Sequence, residues 1–311
     1  VVERLLELGV NVGAVYLTAD GIPEGAEGLG AGAPFSEFVK TIAPSNPIRA
    51  AAEGLRAQGV TSLNLDLMYG LPLQTTADVV ATLEQVTMLR PERIALFGYA
   101  HVPWMKPHQK LINDADLPDA ETRFEQSQTA AHYLARSGWR PIGLDHFALP
   151  HDTMAQAHRA GRLRRNFQGY TTDEAPVLIG LGASSISRTP RGFVQNHAKE
   201  RDWRTAVEAG ELPVARGVEL TPRDAFVGEI IERLMCDFVV DVAAVAGRHR
   251  RDLDEVAGAW PLLDRFVRDR LIGIQGNLVV LTPLGRPFVR AVCTVFDPNA
   301  VGLQQKHGRV V

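Results

Sequence analysis

From about residue 47 onward, helical and strand patterns alternate along the chain, and this alternation restricts the possible folds more than any other feature. Helical periodicity covers the segments 47–59, 75–90 and 119–138. Apolar runs of strand length cover 63–70, 93–100, 141–150 and 177–187. Strands separated by helices of this length are typical of a parallel sheet with right-handed crossovers. The sequence therefore predicts an α/β fold in which these strands form a parallel sheet.

Three of the predicted strands end in polar or glycine-containing segments, at 69–70, 99–101 and 145–146. In barrel-like α/β folds the active site lies at the C-terminal ends of the strands. We therefore expect functional residues at this edge of the sheet.

The strand at 63–70 carries an acidic side chain, Asp66, in an otherwise apolar run. Alternation places the leucines of this strand on one face and Asn64, Asp66 and Met68 on the other. In a barrel the leucines would pack on the outer helices, and Asp66 would face the interior and contact a cationic or hydroxyl-rich ligand. The alternative is a structural carboxylate paired with an arginine or with backbone N–H groups.

Two further segments contain side chains that carry chemistry. Asp145 and His146 are adjacent in a predicted strand, so they should point to opposite faces and form no dyad; His146 is either an acid/base group or a structural histidine. A hydrolase or lyase that uses both residues would require them to converge. The segment 158–165 holds four arginines, which fit either a polycarboxylate ligand or a solvated face.

Composition excludes several classes of partner. The net charge of −3 gives no indication of a nucleic-acid partner, and no apolar run is long enough to span a bilayer. Cys236 and Cys293 are far apart and have no metal-ligand spacing, so we expect both to fill the core and predict no metal site. No segment has the pattern of a secretory signal, so we expect a cytoplasmic protein.

The pattern changes after about residue 199, where helices are followed by a predicted hairpin at 271–281. These features predict a helical, winged-helix-like C-terminal domain without the dense basic stripe of a DNA-binding surface. We predict three parts: a divergent or truncated N-terminal segment at 1–46, a partial barrel at 47–198 and the helical domain at 199–311.

Several long motifs stand in one order along the chain: NLDLMYGLPLQT, FGYAHVPW, IGLDHFALP, RNFQGYTT and LGASSIS. From about residue 47 to its end, the chain resembles oxygen-independent coproporphyrinogen III oxidases, which are radical S-adenosylmethionine (SAM) enzymes. The resemblance implies an incomplete parallel (β/α) barrel of the radical SAM type. It also implies the oxidative decarboxylation of coproporphyrinogen III to protoporphyrinogen IX, with two SAM molecules, a [4Fe-4S] cluster and an electron donor. We expect a monomer.

The resemblance also assigns roles to individual positions. Asp66 matches a contact to one SAM, and Ala100 and Ile186 match contacts to the second. Phe167 and Gln168 match residues that line the second site. We further hypothesise that Arg164 and Arg165 recognise the propionates of the substrate. No catalytic residue is assigned.

The chain also departs from the family pattern. The cluster-binding CxxxCxxC motif is absent, and residues 12–45 do not match the family. We therefore expect the chain to be incomplete and inactive alone. The alternative is a related haem chaperone that binds and transfers haem, although RNFQGYTT and the DHFA segment match the oxidase better.

Overall fold

A computed structural model describes residues 47–167 and 169–297. The chain divides into two compact units, and the division lies between Gln156 and Ala157. This division differs from the predicted boundary between 198 and 199. The physical reason is that residues 164–171 bind within the second unit, where Arg164 contacts Glu232 and the Tyr170 hydroxyl donates to the Met235 carbonyl at 2.9 Å. The predicted N-terminal segment at 1–46 lies outside the described residues.

The first unit combines helices with one four-stranded sheet of order β1-β2-β4-β3. Its elements are α1 (Pro47–Ala57), β1 (Asn64–Tyr69), α2 (Thr76–Met88), β2 (Arg93–Gly98), α3 (Ala120–Arg136), β3 (Arg140–Ile142), β4 (His146–Ala148) and α4 (Thr153–Arg159), which crosses the division. Short 3-10 helices occupy Pro107–Leu111 and Asp114–Asp116.

The helix boundaries follow from local capping chemistry. Thr75 and Asp78 form a capping box at the start of α2, in which each side chain accepts from the other residue's backbone N–H. Asp119 caps α3 by accepting from the Thr122 N–H at 2.8 Å. Both predicted helices are therefore confirmed to within two residues at each end.

The core of the first unit lies between the sheet and the helices α2 and α3. Its buried members are Tyr69, Val79, Leu83, Val86, Ile94, Leu96, Ala130, Leu134, Trp139, Phe147 and Leu149. Leu65 and Leu67 of β1 pack against this cluster. The predicted alternation of β1 is confirmed, because its leucines face the helices and Asp66 lies on the opposite face, where it is exposed.

The prediction of a wholly parallel sheet is wrong. β1 and β2 are parallel over six residue pairs, but β4 runs antiparallel to both β2 and β3. The segment 141–150, predicted as one strand, contains a turn at residues 143–145, where Gly143 has a φ of +57°. Because glycine adopts this left-handed conformation at little cost, the chain reverses there and forms a hairpin.

The second unit contains three small sheets and a set of helices. Its elements are β5 (Arg164–Asn166), β6 (Gly169–Thr171), β7 (Ile186–Thr189), β8 (Gly192–Asn196), α5 (Glu200–Glu208), β9 (Val214–Glu219), α6 (Pro222–Asp237), β10 (Val239–Asp241), α7 (Val242–His249), α8 (Trp260–Arg268), β11 (Ile272–Gln275), β12 (Leu278–Leu281) and α9 (Val289–Cys293). The sheets are the pair β5-β6, the antiparallel β7-β8-β9 and the antiparallel β10-β12-β11.

The predicted strand at 177–187 does not join the sheet of the first unit. Leu178 forms a bridge with Arg188, and β7 pairs antiparallel with β8 in the second unit. Gly182 and Ser184 have φ values of +95° and +61°, so the chain turns between Leu178 and Arg188. This segment therefore folds back on itself.

The helices and the hairpin predicted for the C-terminal part are present. Thr221 and Asp224 form a capping box at the start of α6, with Pro222 at its first position. Phe226, Ile230 and Leu234 are fully buried along one face of this helix. The strands β11 and β12 form the predicted hairpin, which turns at residues 276–277.

Candidate functional site

Asp66 lies on the face of β1 that the helices leave open. Its Oδ1 atom accepts from Asn64 Nδ2 at 2.6 Å. Within the residues that the structure describes, neither an arginine nor a backbone N–H group pairs with Asp66. The alternative of a paired structural carboxylate therefore does not describe Asp66. The carboxylate keeps acceptor capacity for a hydroxyl or ammonium group of a ligand.

A half-buried arginine, Arg123 of α3, lies at the C-terminal ends of β1 and β2. A Cβ atom at Gly98 would lie 3.1 Å from Arg123 Nη2 and 3.0 Å from Tyr69 Oη, so both side chains pack directly on the glycine backbone. The Nε and Nη2 atoms of Arg123 are buried and make no hydrogen bond to any described residue. No sequence pattern singles out this group, because nothing in a helical pattern distinguishes a paired arginine from an unpaired one.

The segment after β2 carries a short hydrogen-bonded series. Ala100 is exposed, and its carbonyl accepts from Gln109 Nε2 at 3.1 Å. His101 Nε2 lies 3.1 Å from Asp114 Oδ1, and His101 Nδ1 lies 3.5 Å from the Tyr99 hydroxyl. Burial raises the pKa of Tyr99 above its usual value.

The prediction that Asp145 and His146 do not meet is wrong. His146 Nδ1 lies 2.7 Å from Asp145 Oδ1, and both side chains are largely buried. The rule of alternating faces does not apply, because Asp145 belongs to the turn after β3 while His146 begins β4. His146 also contacts Phe97 edge-on, with ring centroids 5.9 Å apart.

The arginine cluster belongs to the second unit, where Glu232 contacts two of its members. Glu232 of α6 accepts from Arg164 Nη1 at 3.2 Å and from the Arg165 backbone N–H at 3.1 Å. The Arg165 guanidinium lies over the ring of Tyr170, 4.5 Å from its centroid. Arg164 is exposed and neutralised, whereas Arg165 Nη1 is buried and has no hydrogen-bond partner among the described residues.

A cavity of about 480 Å³ opens beside this cluster, within the usual size range of small-molecule sites. Phe167 and Arg165 line it, and Phe167 contacts Phe193 edge-on with ring centroids 5.1 Å apart. Ile186 is half-buried in β7 and does not line this cavity. Gln168 lies outside the described residues.

The two cysteines do not fit a [4Fe-4S] cluster, which the family resemblance implies. Burial raises the pKa of both Cys236 and Cys293 to about 12, so neither thiol readily supplies the thiolate that iron binds. Among the residues that the structure describes, no group of three or more His, Cys, Asp or Glu side chains is arranged to hold a metal ion.

Comparison with known proteins identifies relatives for most of the chain. Residues 220–288 match the HemN C-terminal domain. The chain is 39% identical to an oxygen-independent coproporphyrinogen III oxidase of Thermostichus vulcanus over 259 residues, which are 83% of this chain and 79% of that protein. It is 39% identical to the protein of the same name from Bradyrhizobium diazoefficiens over 262 residues, 84% of this chain and 58% of that protein.

A solved structure of the coproporphyrinogen III oxidase HemN from Escherichia coli, described as a radical SAM enzyme, is also similar. The TM-score is 0.77 at 36% identity, and the match covers 81% of this chain and 58% of that one. The chain thus spans 58% of the length of both the Bradyrhizobium and the Escherichia proteins. Within the described residues, no helix combines the length and the apolar character needed to cross a lipid bilayer.

Proposed function

Because the chain belongs to the family of oxygen-independent coproporphyrinogen III oxidases, we propose that it acts in haem biosynthesis. The proposed reaction is the oxidative decarboxylation of coproporphyrinogen III to protoporphyrinogen IX without O2. In this reaction two propionate side chains lose CO2 and become vinyl groups. We propose that the protein works in the cytoplasm as a monomer and depends on an external electron donor.

The observation that carries the proposal is the position of Asp66. Its exposed carboxylate lies on the open face of β1, with the leucines of the same strand packed on the helices behind it. SAM carries ribose hydroxyls and an ammonium group that such a carboxylate accepts from. We therefore assign Asp66 to hold one SAM, which when bound supplies the group that removes hydrogen from the substrate.

The remaining family assignments stay proposals. We propose that the exposed backbone at Ala100 and the side chains of Ile186, Phe167 and Gln168 contact the second SAM. The exposure of Phe167 supports its part of this assignment, because an exposed aromatic ring provides a stacking surface.

A segment exchange tests the proposed reaction. The part of the Thermostichus vulcanus oxidase that aligns with this chain is replaced by the matching residues of this chain, so that the host protein supplies everything else. Under anaerobic conditions with SAM and a reductant, we expect the chimera to form protoporphyrinogen IX, measured by chromatography after oxidation to the porphyrin. The same chimera with Asp66→Asn serves as the matched control and should lose most of this product.

One outcome would contradict the proposal directly. A chimera that is folded, carries its iron–sulfur cluster and binds coproporphyrinogen III, yet forms no protoporphyrinogen IX, would show that this chain's residues do not support the reaction.

A further inference from the structure

Two arginines of the second unit differ from their neighbours in having no acidic partner. Arg162, Arg164 and Arg191 each have a carboxylate within 4 Å, from Glu174, Glu232 and Glu219 respectively. By contrast, neither Arg165 nor Arg188 forms an ion pair with any residue that the structure describes. Guanidinium groups without a partner keep unused donors for a carboxylate.

The two arginines without an ion pair, Arg165 and Arg188, line the same two cavities. A smaller cavity of about 240 Å³ adjoins the cavity of about 480 Å³, and both are lined by Arg165, Arg188, Asn166, Leu178 and Glu232. These shared residues therefore form the wall between the two cavities. The carboxylate in this wall, Glu232, pairs with Arg164 and Arg233, so among the described residues the guanidinium groups of Arg165 and Arg188 have no ion-pair partner.

The rest of the larger cavity is largely apolar. Phe167 and Phe193 contribute aromatic rings, and Ile231 and Met235 of α6 contribute aliphatic surface. Arg188 and Phe193 are directly opposed in the β7–β8 register, so their side chains share one face of the sheet. The backbone thereby holds a guanidinium beside an aromatic ring.

We propose that this cavity binds a ring-bearing carboxylate, with Arg188 and Arg165 receiving the carboxylate and Phe193 contacting the ring. The fork of a guanidinium matches a carboxylate bidentately, and the Tyr170 ring beneath Arg165 fixes the direction of its guanidinium. This extends the proposed function, on which the choice of ligand rests: a pyrrole ring with its propionate is a ligand of this class. Arg164, which Glu232 neutralises, plays no part.

Coproporphyrin III, the stable oxidised form of the proposed substrate, is the probe. The full chain is titrated with it, and binding is followed by porphyrin absorbance and fluorescence. We expect Arg188→Gln to weaken binding by about tenfold or more, the effect of losing a charged hydrogen bond. Arg188 is exposed, so this variant should fold. Arg188→Lys keeps the charge but loses the fork of the guanidinium, so its affinity for coproporphyrin III should lie between those of the unaltered chain and Arg188→Gln.

Two controls isolate the carboxylate. Arg191→Gln removes an exposed arginine from the same β7–β8 hairpin that lines neither cavity and should leave binding unchanged. The tetramethyl ester of coproporphyrin III keeps the ring and removes all carboxylates, so it should bind no better to the original protein than to Arg188→Gln.

Three results would overturn the inference: no porphyrin binding by the unaltered chain, equal binding by Arg188→Gln, or equal binding of the acid and the ester. None of them depends on catalysis by the chimera. Failure of the proposed reaction and failure of this site are therefore separate results.

Discussion

Asp66 illustrates how a single side chain is placed by strand geometry. The leucines around it are drawn to the helices by the hydrophobic effect, and the two-residue period of the strand then turns the carboxylate to the other face. Its exposure means that removing it costs the fold little, so a loss of ligand affinity is separable from a loss of structure.

We expect Asp66→Ala to weaken SAM binding by about tenfold, because the ligand loses a charged hydrogen bond. Isothermal titration of the 311-residue chain measures this, and circular dichroism should give the same unfolding midpoint as the unaltered protein. Glu125→Gln, an exposed change on α3, is the matched control and should leave the affinity intact. An unchanged dissociation constant for Asp66→Ala would refute the assignment.

The cysteines give a second prediction at the residue scale. With the pKa of Cys236 and Cys293 raised to about 12 by burial, both thiols should resist an aromatic disulfide reagent at pH 8 and react promptly in denaturant. Because the folded pKa values lie above those of the unfolded chain, this contribution to stability is complete below pH 9 and is lost as the pH rises towards 12. Fast labelling of the native protein would be inconsistent with the described burial.

Individual residues also show where sequence reasoning succeeds and fails. The face of β1 on which Asp66 lies follows from the alternation of side chains along the strand, which depends only on neighbouring residues. The contact between Asp145 and His146 depends on a turn that begins two residues earlier at Gly143. The unpaired state of Arg123 and Arg188 depends on which side chains other segments bring near them, and no local pattern encodes that.

At the scale of elements, helices were easier to predict than strand partners. The helices α1, α2 and α3 have the hydrophobic period of a helix, and α2 and α3 also have capping residues, so their positions were predicted closely. A strand is equally apolar whether its neighbour runs parallel or antiparallel. The direction of β4 and the sheet to which β7 belongs were therefore set by turns at residues 143–145 and 179–185, which the apolar pattern conceals.

The helices α6 and α7 are joined by one carboxylate. Glu229 accepts from Arg248 Nε and Nη2 at 2.9 and 2.6 Å and lies 2.6 Å from His249 Nε2. Burial opposes ionisation of Glu229, but the hydrogen bonds from Arg248 and His249 outweigh it and lower the pKa of this carboxyl. The ionised form is therefore the one that holds the two helices together.

We expect Glu229→Gln to reduce the free energy of unfolding by about 1 kcal/mol at pH 7, because charged hydrogen bonds become neutral ones. Since the folded pKa is lowered, this stabilisation is present above the usual glutamate pKa and is lost as the pH falls below it. Urea unfolding from pH 7 to pH 3 tests this: the two proteins should converge in acid. Glu208→Gln, an exposed change on α5, should have no comparable effect, and a constant difference at all pH values would contradict the assignment.

At the scale of the whole molecule, the family was predicted from several motifs in one order, and the comparisons confirm it. The division into two units was harder to predict. The change of composition near residue 199 is real, but the association of residues 164–171 with α6 depends on contacts such as Tyr170 to Met235, which no composition profile contains.

We expect the 311-residue polypeptide to assemble no iron–sulfur cluster, because its two thiols are buried and widely separated along the chain. Anaerobic reconstitution with iron and sulfide should give no absorbance near 410 nm above that of the Cys236→Ser, Cys293→Ser double variant. The polypeptide alone should then form no protoporphyrinogen IX. Absorbance that persists in the double variant would mean that other ligands hold iron, and this account of the chain would be wrong.

The wall that Arg165 and Arg188 form between the two cavities has a consequence for the binding of anionic ligands. Two small anions, one in each cavity, would compete for the guanidinium groups of Arg165 and Arg188. Binding of an anion in one cavity would therefore weaken anion binding in the other. A single dianion that is long enough to place one carboxylate in each cavity would not be subject to this competition. The affinity of tethered dicarboxylates should therefore rise abruptly at the spacer length that first allows both carboxylates to bind.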